Sequence, residues 1–331
     1  MPYATIIGTG SYIPEKVLTN DDLSLMLGED INEFVSQVIG INERHVCAEN
    51  ESTADLAGAA SLRALESAGL TADQVDLIIL ATDTPEHLSP ATSVVVQHRI
   101  GAKTAGTFDV NCACSGFVTA LDIASKFITA DQAYQNILVV GAYAMSKFLD
   151  WQDKKTATIF ADGAGAVVLQ ASETEPGFLA SRLLADGSFS DYMGIYAGGT
   201  RMPPTEAVVR EGRWTKVRFA RRYPPEVNIE GWPRIIRDVL AKCSLRLDDV
   251  RLFLFTQVNL STIKEVMRIL DLPMERTHTI MQKWGYTGSA CIPMVLDDAV
   301  REGKLNRGDK VVMCASGGGL NMACAAFRWT S

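Results

Sequence analysis

The feature of this sequence that most constrains its fold is an alternation of apolar, strand-length runs with segments of helical periodicity. Several of the apolar runs have no polar face, which is typical of strands in a sheet that helices cover on both sides. The pattern therefore predicts an α/β protein. We expect strands over 5–8, 77–82, 107–110, 136–142, 163–169, 252–256 and 310–315, and helices over 52–68, 115–130, 232–243, 262–270 and 292–302.

The order of these elements repeats along the chain. Residues 52–82 read as a helix, an acidic turn and an apolar strand that ends in TADQVDLIILAT, and residues 232–256 repeat that order and end in LRLDDVRLFLFT. The recurrence indicates two similar halves, although α/β proteins often repeat such units. Ser52 or Thr53 is a candidate N-cap of the first helix, and Gly69 ends it. Between the halves, residues 171–231 predict loops and short strands.

Charge and cysteine content exclude several classes of function. The net charge of −8 argues against general nucleic-acid binding. No stretch approaches the ~18 consecutive apolar residues of a membrane span. The seven cysteines show no spacing typical of a metal site, so we expect no metal. Their odd number, together with a strand-like N-terminus, predicts reduced thiols and a cytoplasmic protein.

One cysteine lies where a strand runs directly into a helix, within FDVNCACSGF at 108–117. Ser115 and Gly116 are small enough to let a substrate approach the sulfur of Cys114. A helix N-terminus favours the thiolate, which is the form of cysteine that attacks carbonyls. From these residues alone, a nucleophile and a small buried cysteine are equally good interpretations.

A basic cluster interrupts the acidic sequence within the loop-rich stretch. Six cations stand there against a lone Glu211, and they could bind phosphates or an acidic partner, or form an ordinary solvated surface. The six are Arg210, Arg213, Lys216, Arg218, Arg221 and Arg222.

Several segments, in order, make the chain resemble the β-ketoacyl-acyl carrier protein synthase III family. They are GTGSYIPEKVLTNDDL near the start, GINERHV at 40–46, FDVNCACSGF at 108–117, TIFADGAGAVVL at 158–169, DGSFSD and AGGTRMP within 186–203, and GGGLNMA at 317–323. The resemblance implies a thiolase fold with two pseudo-symmetric halves in five αβαβα layers. The N-terminal half would be 1–170, and the C-terminal half 171–331, with 171–231 as the connection.

The resemblance also implies a nucleophile and an oxyanion hole. The family's acylated cysteine matches Cys114, because Ser115-Gly116-Phe117 follows it. The family forms its oxyanion hole from the backbone amide of this cysteine and an amide of the glycine loop, here Gly318. Because both donors belong to the backbone, we expect acylation of Cys114 to be retained.

Two catalytic side chains of the family are replaced. The family's histidine and asparagine, which stabilise the enolate formed by decarboxylation of a malonyl thioester, align with Thr256 and Tyr286. A hydroxyl can donate one hydrogen bond but cannot carry a proton near neutral pH as imidazole does. Loss of one oxyanion donor typically costs about 3 kcal/mol, so we expect malonyl decarboxylation to be very slow.

A carboxylate is the candidate replacement. Asp83 follows a predicted strand, at a position comparable to the glutamate acid/base of the related hydroxymethylglutaryl-CoA synthases. Asp83-Thr84-Pro85 also has the composition of a turn, so a turn or capping role is the alternative.

At the entrance, the family holds CoA with an aromatic residue and two arginines. These positions align with Phe34, Val38 and Lys154. Lys155 and Arg213 are further candidates for binding pantetheine phosphates, or else are ordinary surface charges.

These observations predict an acyltransferase of the synthase III type in fatty acid or polyketide biosynthesis. Cys114 would accept an acyl group from a CoA or carrier-protein thioester and pass it on by an atypical condensation or a simple transfer. We expect no permanently bound cofactor, no nucleic-acid or membrane partner, and a homodimer. A non-catalytic partner subunit and an acyl-thioester hydrolase are the alternatives.

Overall fold

Two mixed β-sheets form the framework of the protein, whose computed structural model describes residues 1–330. The strands are β1 (Tyr3–Tyr12), β2 (Lys16–Thr19), β3 (Glu43–Val46), β4 (Leu77–Ala81), β5 (Gly106–Val110), β6 (Asn136–Ala144), β7 (Asp162–Ser172), β8 (Phe178–Ala185), β9 (Met193–Gly194), β10 (Arg218–Phe219), β11 (Leu252–Phe255), β12 (Lys310–Gly317) and β13 (Asn321–Arg328).

The helices cover both sheets. They are α1 (Asn20–Leu27), α2 (Asn32–Phe34, followed by a π-helical turn at Val35–Ile39), α3 (Thr53–Ala68), α4 (Thr92–Ile100), α5 (Gly116–Ala130), α6 (Lys154–Ala157), α7 (Glu206–Glu211), α8 (Glu226–Lys242), α9 (Leu260–Ile269), α10 (Met281–Trp284) and α11 (Cys291–Arg301).

Each large sheet combines parallel and antiparallel pairs. The first has the order β1-β7-β6-β4-β5, with β4 parallel to both β5 and β6. The second has the order β11-β12-β13-β8, with β11 parallel to β12. Every residue of β4 and of β11 is buried, as expected of strands that helices cover on both faces.

The helices and sheets form five layers. Helix α3 packs on β1, β6 and β7, and α5 and α11 lie between the sheets, where they contact strands of both. Helix α8 packs on β8, β12 and β13 from the other side, with α9 against it. This agrees with the predicted αβαβα order.

Local signals for the predicted helix ends are confirmed. Ser52 is the N-cap of α3 and forms a capping box with Asp55, while Gly69 ends the helix with a left-handed φ of 66°. Within residues 1–330, no helix combines the length and the apolarity that a membrane crossing requires.

Several elements differ from the sequence-based expectation. Strand β8 lies in the stretch predicted to hold only loops and short strands, and β13 and α4 were not predicted. Because β13 is built largely from alanine and other small residues, its strand signal is weak, and pairing with β8 and β12 fixes it. Helix α8 begins at Glu226 rather than 232 and continues through Pro233.

Candidate active site

Cys114 lies at the turn that joins β5 to α5. Ala113, directly before it, has a positive φ of 47°, which a non-glycine residue seldom adopts. The Ser115 hydroxyl donates to the carbonyl of Cys112 over 2.8 Å and fixes the turn. Cys114 itself is only 2% exposed. This strained connection holds its thiol at the C-terminal edge of the first sheet, where α5 begins.

The thiol borders a cavity of about 240 Å³ between the two sheets. Aromatic and apolar side chains form much of its wall, including Phe160, Met193, Phe219 and Leu320. Several polar side chains also reach it, and they come from five separate segments of the chain. They are Cys114, Tyr223, Asn228, Thr256, Asn259, Thr262, Tyr286 and Ser316.

Thr256 and Tyr286 lie in this same cavity. Thr256 follows β11, is buried, and its hydroxyl accepts a hydrogen bond from the Ser316 amide over 3.0 Å. Tyr286 is held by backbone hydrogen bonds to both neighbours of Phe160, and its ring stacks on the Phe160 ring at 5.7 Å. The Tyr286 hydroxyl hydrogen-bonds the Cys114 thiol.

The resting Cys114 is a neutral thiol. Burial raises the pKa of Cys114 well above its ordinary value, the nearby Asp83 charge raises it further, and the Tyr286 hydrogen bond lowers it by less. Burial therefore opposes the preference for the thiolate that a helix N-terminus gives. A base must take the proton when the thiol attacks.

Asp83 directly follows Thr82 after the end of β4. Its carboxyl is near enough to that thiol to raise the thiol's pKa, but it does not line the cavity. Its Oδ1 is buried and has no hydrogen-bond partner within residues 1–330. Burial raises the pKa of Asp83 to about 6. In the same turn, the Thr82 hydroxyl accepts from the Thr84 amide over 3.0 Å.

The glycine loop approaches Cys114 from the second sheet. A Cβ on Gly317 would lie 2.3 Å from the carbonyl oxygen of Cys112 and 2.9 Å from the Cys114 nitrogen, so only glycine fits there. The adjacent Gly318 lines the cavity. The two backbone amides assigned to the oxyanion hole, those of Cys114 and Gly318, thus belong to segments in direct contact.

A wider channel of about 740 Å³ leads from the surface to this cavity, since Phe219 and Tyr223 line both. Phe34, which is 61% exposed, lies in the channel with Lys154 and Lys155. Lys154 forms an ion pair with Glu29 over 2.9 Å. Sequence reasoning placed all three side chains at the entrance.

Arg213 does not line that channel. It lies in a neighbouring groove of about 410 Å³ that shares Lys155 with the channel. The Arg213 guanidinium stacks on the Trp214 ring at 4.1 Å and forms an ion pair with Glu211 over 3.2 Å.

Carboxylates neutralise more of the basic cluster than the sequence suggested. Arg210 pairs with Glu206, and Arg221 pairs with Asp191 over 2.9 Å. The fold brings Asp191 to the cluster from a distant segment, which sequence spacing could not show. Arg221 and Arg222 face the channel and add positive charge to its wall.

Comparisons with known proteins decide the family. Family models described as 3-oxoacyl-[acyl-carrier-protein] synthase III and its C-terminal part match residues 108–187 and 240–329. A β-ketoacyl-[acyl-carrier-protein] synthase III of Xanthomonas campestris is 40% identical over 99% of this chain and 98% of its own length. The chain belongs to this family. Its members are condensing enzymes that transfer acyl groups, and the predicted enzyme class is confirmed.

Solved structures show the same fold. A 3-oxoacyl-[acyl-carrier-protein] synthase III from Aquifex aeolicus superimposes with a TM-score of 0.89 and 36% identity, covering 98% of this chain and 100% of that one. One from Pseudomonas aeruginosa gives 0.89 and 33%, covering 99% of both chains. The predicted α/β thiolase fold is confirmed.

Two polar residues at the site escaped sequence reasoning. Tyr143 is fully buried beside Phe160, its hydroxyl has no hydrogen-bond partner within residues 1–330, and burial and the Asp83 charge raise its pKa. Asn228 reaches the cavity from α8. No motif in the sequence indicates a role for Tyr143. The only signal at Asn228 is a polar residue between two apolar ones, shortly before the predicted start of the helix.

One set of potential metal ligands lies apart from the cavity. His278, Asp298 and Glu302 approach one another within 4.8 Å. Two lysines bind these side chains. The Lys283 ammonium donates to Asp298 over 2.8 Å, and the Lys304 ammonium donates to His278 Nδ1 over 2.7 Å. The arrangement is an internal ion-pair network, and it gives no support to a metal centre.

Proposed function

We propose that the protein carries an acyl group on Cys114, accepts it from a CoA or carrier-protein thioester, and passes it to an acceptor that Asp83 deprotonates. The single observation that carries this proposal is the placement of the Asp83 carboxyl beside a buried, neutral thiol. A carboxylate with a pKa of about 6 is largely ionised at neutral pH and can accept the thiol proton.

Loading of Cys114 follows from this geometry. As the sulfur attacks the thioester carbonyl, its proton passes to Asp83, and the amides of Cys114 and Gly318 donate hydrogen bonds to the developing oxyanion. The hydrogen bond from Tyr286 stabilises the sulfur as it becomes anionic. Collapse of the tetrahedral intermediate releases the thiol of the donor, which regains the proton from Asp83, and leaves an acyl-cysteine.

The channel suits a phosphopantetheine donor. Lys154, Lys155, Arg221 and Arg222 line it and would attract the phosphates of CoA or of a carrier protein, while the exposed Phe34 offers a ring for stacking. Relatives that are named for an acyl carrier protein support the carrier-protein alternative. Arg213 lies in the neighbouring groove, so it could contact the donor only outside the channel.

The transfer step differs from that of a histidine-dependent enzyme. Thr256 and Tyr286 can donate hydrogen bonds but cannot exchange protons near neutral pH. Asp83 is therefore the base available to the acceptor. We propose that the acceptor loses a proton to Asp83 rather than carbon dioxide.

Intact-protein mass spectrometry tests the loading step. After incubation with a panel of acyl-CoAs, the wild type should gain the mass of one acyl group and release one equivalent of free CoA. Cys114→Ala should gain none. No mass increase in the wild type, or the same increase in Cys114→Ala, would contradict the proposal and favour a non-catalytic subunit. Continuous CoA release without an acceptor would instead indicate a hydrolase.

A second comparison tests the altered chemistry. The double variant Thr256→His, Tyr286→Asn restores the two side chains of the family, and we expect it to release carbon dioxide from malonyl-CoA faster than the wild type. Equal rates would show that the wild type already decarboxylates efficiently and that our assignment of these two positions is wrong.

We also propose a cytoplasmic homodimer. All seven cysteines are free thiols, which suits a reducing compartment. Strand β5 is an outer strand of the first sheet and offers an edge for pairing with a second copy. Light scattering coupled to size-exclusion chromatography should give twice the chain mass.

A further inference from the structure

We propose that Tyr143 is a positioning residue for Asp83. Its hydroxyl reaches the Asp83 carboxylate through one buried water molecule and keeps that group ionised until it accepts the Cys114 proton. The inference rests on the proposed function and deepens it, because it names the group that sets the pH at which the base works.

The register of the first sheet places Asp83 opposite Tyr143. Strands β4 and β6 are parallel, and their last paired residues are Ala81 and Gly141, each two residues before one member of the pair. The register continues past the end of β4, since the Thr84 hydroxyl accepts from the amide of the residue after Tyr143 over 2.9 Å. Asp83 and Tyr143 are therefore neighbours on adjacent segments.

The Asp83 side chain points away from α3. The Thr84 hydroxyl lies 3.3 Å from that of Thr82 and 3.4 Å from that of Thr53, the first residue of α3. Thr82 and Thr84 therefore both face α3. Because successive side chains of an extended segment point to opposite faces, Asp83 faces the layer between the two sheets.

Tyr143 faces the same layer. Its ring lies 6.1 Å from the Phe160 ring, in the cluster of buried side chains that includes Cys114. The backbone at Gly288 also approaches this ring, because a Cβ there would lie only 2.3 Å from it. Close packing thus holds the Tyr143 ring in one position, on the side of the sheet that Asp83 faces.

Polar atoms of this region lack partners. Asp83 Oδ1 and the Tyr143 hydroxyl are buried, and neither has a hydrogen-bond partner in the part of the chain that the structure describes. The same holds for the hydroxyl of Thr287, the residue before Gly288. Buried polar groups are nearly always paired, and an internal water typically makes about three hydrogen bonds. A water that accepts from Tyr143 and donates to Asp83 and Thr287 would pair all three.

The ionised Asp83 depends on such hydrogen bonds. Burial raises the pKa of Asp83 to about 6, and within residues 1–330 no cation opposes this effect. The titratable groups around the pair are themselves neutral or anionic. They are Cys114 from the β5–α5 turn, Asp162 from β7, Cys291 from α11, and Tyr286. During loading the thiol proton passes to Asp83 and then to the leaving thiol, while Tyr143 keeps its own proton.

The pH profile of Cys114 loading tests this role. Tyr143→Phe keeps the ring but removes a donor from the ionised Asp83, so the midpoint of the rise in loading rate with pH should move up by about one unit. Tyr134→Phe is the matched control, because that ring packs on Phe127 beyond the end of α5, and it should keep the wild-type midpoint. An unchanged midpoint in Tyr143→Phe would overturn the inference.

Urea unfolding measures the same quantity without any reaction. The stability that Asp83 contributes relative to Asp83→Asn falls as the pH rises and levels off above the pKa of Asp83 in the folded protein. In the Tyr143→Phe background it should level off about one pH unit higher than in the wild-type background.

The unfolding data also separate the inference from the proposed function. Equal values in the two backgrounds would overturn the inference. So would a Tyr143→Phe protein that is stabilised equally at every pH, which is the result of removing a hydroxyl without a partner. If the shift is present but the wild type gains no acyl group on Cys114, the proposed function is contradicted while the contact between Tyr143 and Asp83 stands.

Discussion

At the scale of single residues, the candidate site combines a buried thiol with a buried carboxyl whose charge opposes ionisation of the thiol. The Asp83 charge raises the pKa of Cys114, and burial raises the pKa of Asp83 to about 6. In the mechanism that we propose, the Asp83 carboxylate, which disfavours the thiolate at rest, accepts the thiol proton during attack. That chemistry requires both groups to be kept out of water.

Asp83→Asn should stabilise the protein at neutral pH. The pKa of Asp83 in the folded protein, about 6, lies above its ordinary value of 3.8, so its contribution to stability is present below pH 3.8 and is lost as the pH rises through 6. Removing the carboxyl should therefore raise the free energy of unfolding by about 2–3 kcal/mol above pH 6, with no gain below pH 4. Urea unfolding at several pH values measures this.

The same variant should also lose activity, since a base is missing. Wild-type loading of Cys114 should rise with pH around 6, and the Asp83→Asn variant should be slow throughout. A destabilised Asp83→Asn protein at pH 7, or one with full loading activity, would show that the carboxyl is a structural group.

Tyr286→Phe isolates the hydrogen bond to the thiol. Its loss should raise the pKa of Cys114 further, because the bond from Tyr286 lowers that pKa. The ring stacking on Phe160 is retained. Alkylation of Cys114 by iodoacetamide should become slower at every pH below the thiol pKa. Tyr192→Phe, outside the catalytic cavity, is the matched control, and equal rates in both variants would contradict the assignment.

At the scale of elements, the site is the meeting point of the β5–α5 turn and the end of β12. The contact is backbone to backbone: the missing side chain of Gly317 lets this strand lie against Cys112 and Cys114. Neither element forms the candidate site alone, since Cys114, the proposed nucleophile, follows a strand of the first sheet and the glycine loop follows a strand of the second.

Gly317→Ala should push the end of β12 away from the β5–α5 turn. Its Cβ would meet the Cys112 carbonyl oxygen at 2.3 Å, so the backbone must shift. We expect a destabilisation of about 1–3 kcal/mol and loss of Cys114 loading. Gly187→Ala is the control, because nothing lies within 4 Å of its Cβ position and its φ is not positive. Thermal unfolding and intact mass measure the two effects, and a neutral Gly317→Ala would contradict this account of the contact.

The strands also show which sequence patterns predict secondary structure well and which do not. Strands β4 and β11 were predicted within one residue of their observed ends, because continuous apolar runs flanked by turns are a strong signal. Strand β13, with the sequence NMACAAFR, was not predicted, since small residues favour no single conformation. Its partners on both sides decide its structure.

At the scale of the whole molecule, charge is distributed unevenly. The net charge is −8, yet four cationic side chains, against the two carboxylates of Glu29 and Asp30, line the channel that opens towards Cys114. Such a local field would attract a polyanionic donor to one place on an otherwise acidic surface.

The double variant Lys155→Glu, Arg222→Glu should therefore lower kcat/KM for acyl-CoA about tenfold or more at low salt, with kcat changed little. The difference from the wild type should shrink as ionic strength rises. Lys103→Glu, an exposed lysine far along the chain from the channel, changes charge without touching it and should have little effect. An equal loss in both variants would show that net charge, not the channel, governs binding.

The sequence by itself determined the α/β class and the family, because periodicity, capping and ordered motifs are local. It also predicted Cys114, Thr256, Tyr286 and Asp83 as site residues, since each occupies an aligned position. Only the tertiary structure showed that burial raises the pKa of the Cys114 thiol, that the Asp83 charge acts on it, and that Arg213 lies outside the channel. These are consequences of burial and of contacts between distant segments, and the desolvation of a side chain depends on everything that surrounds it.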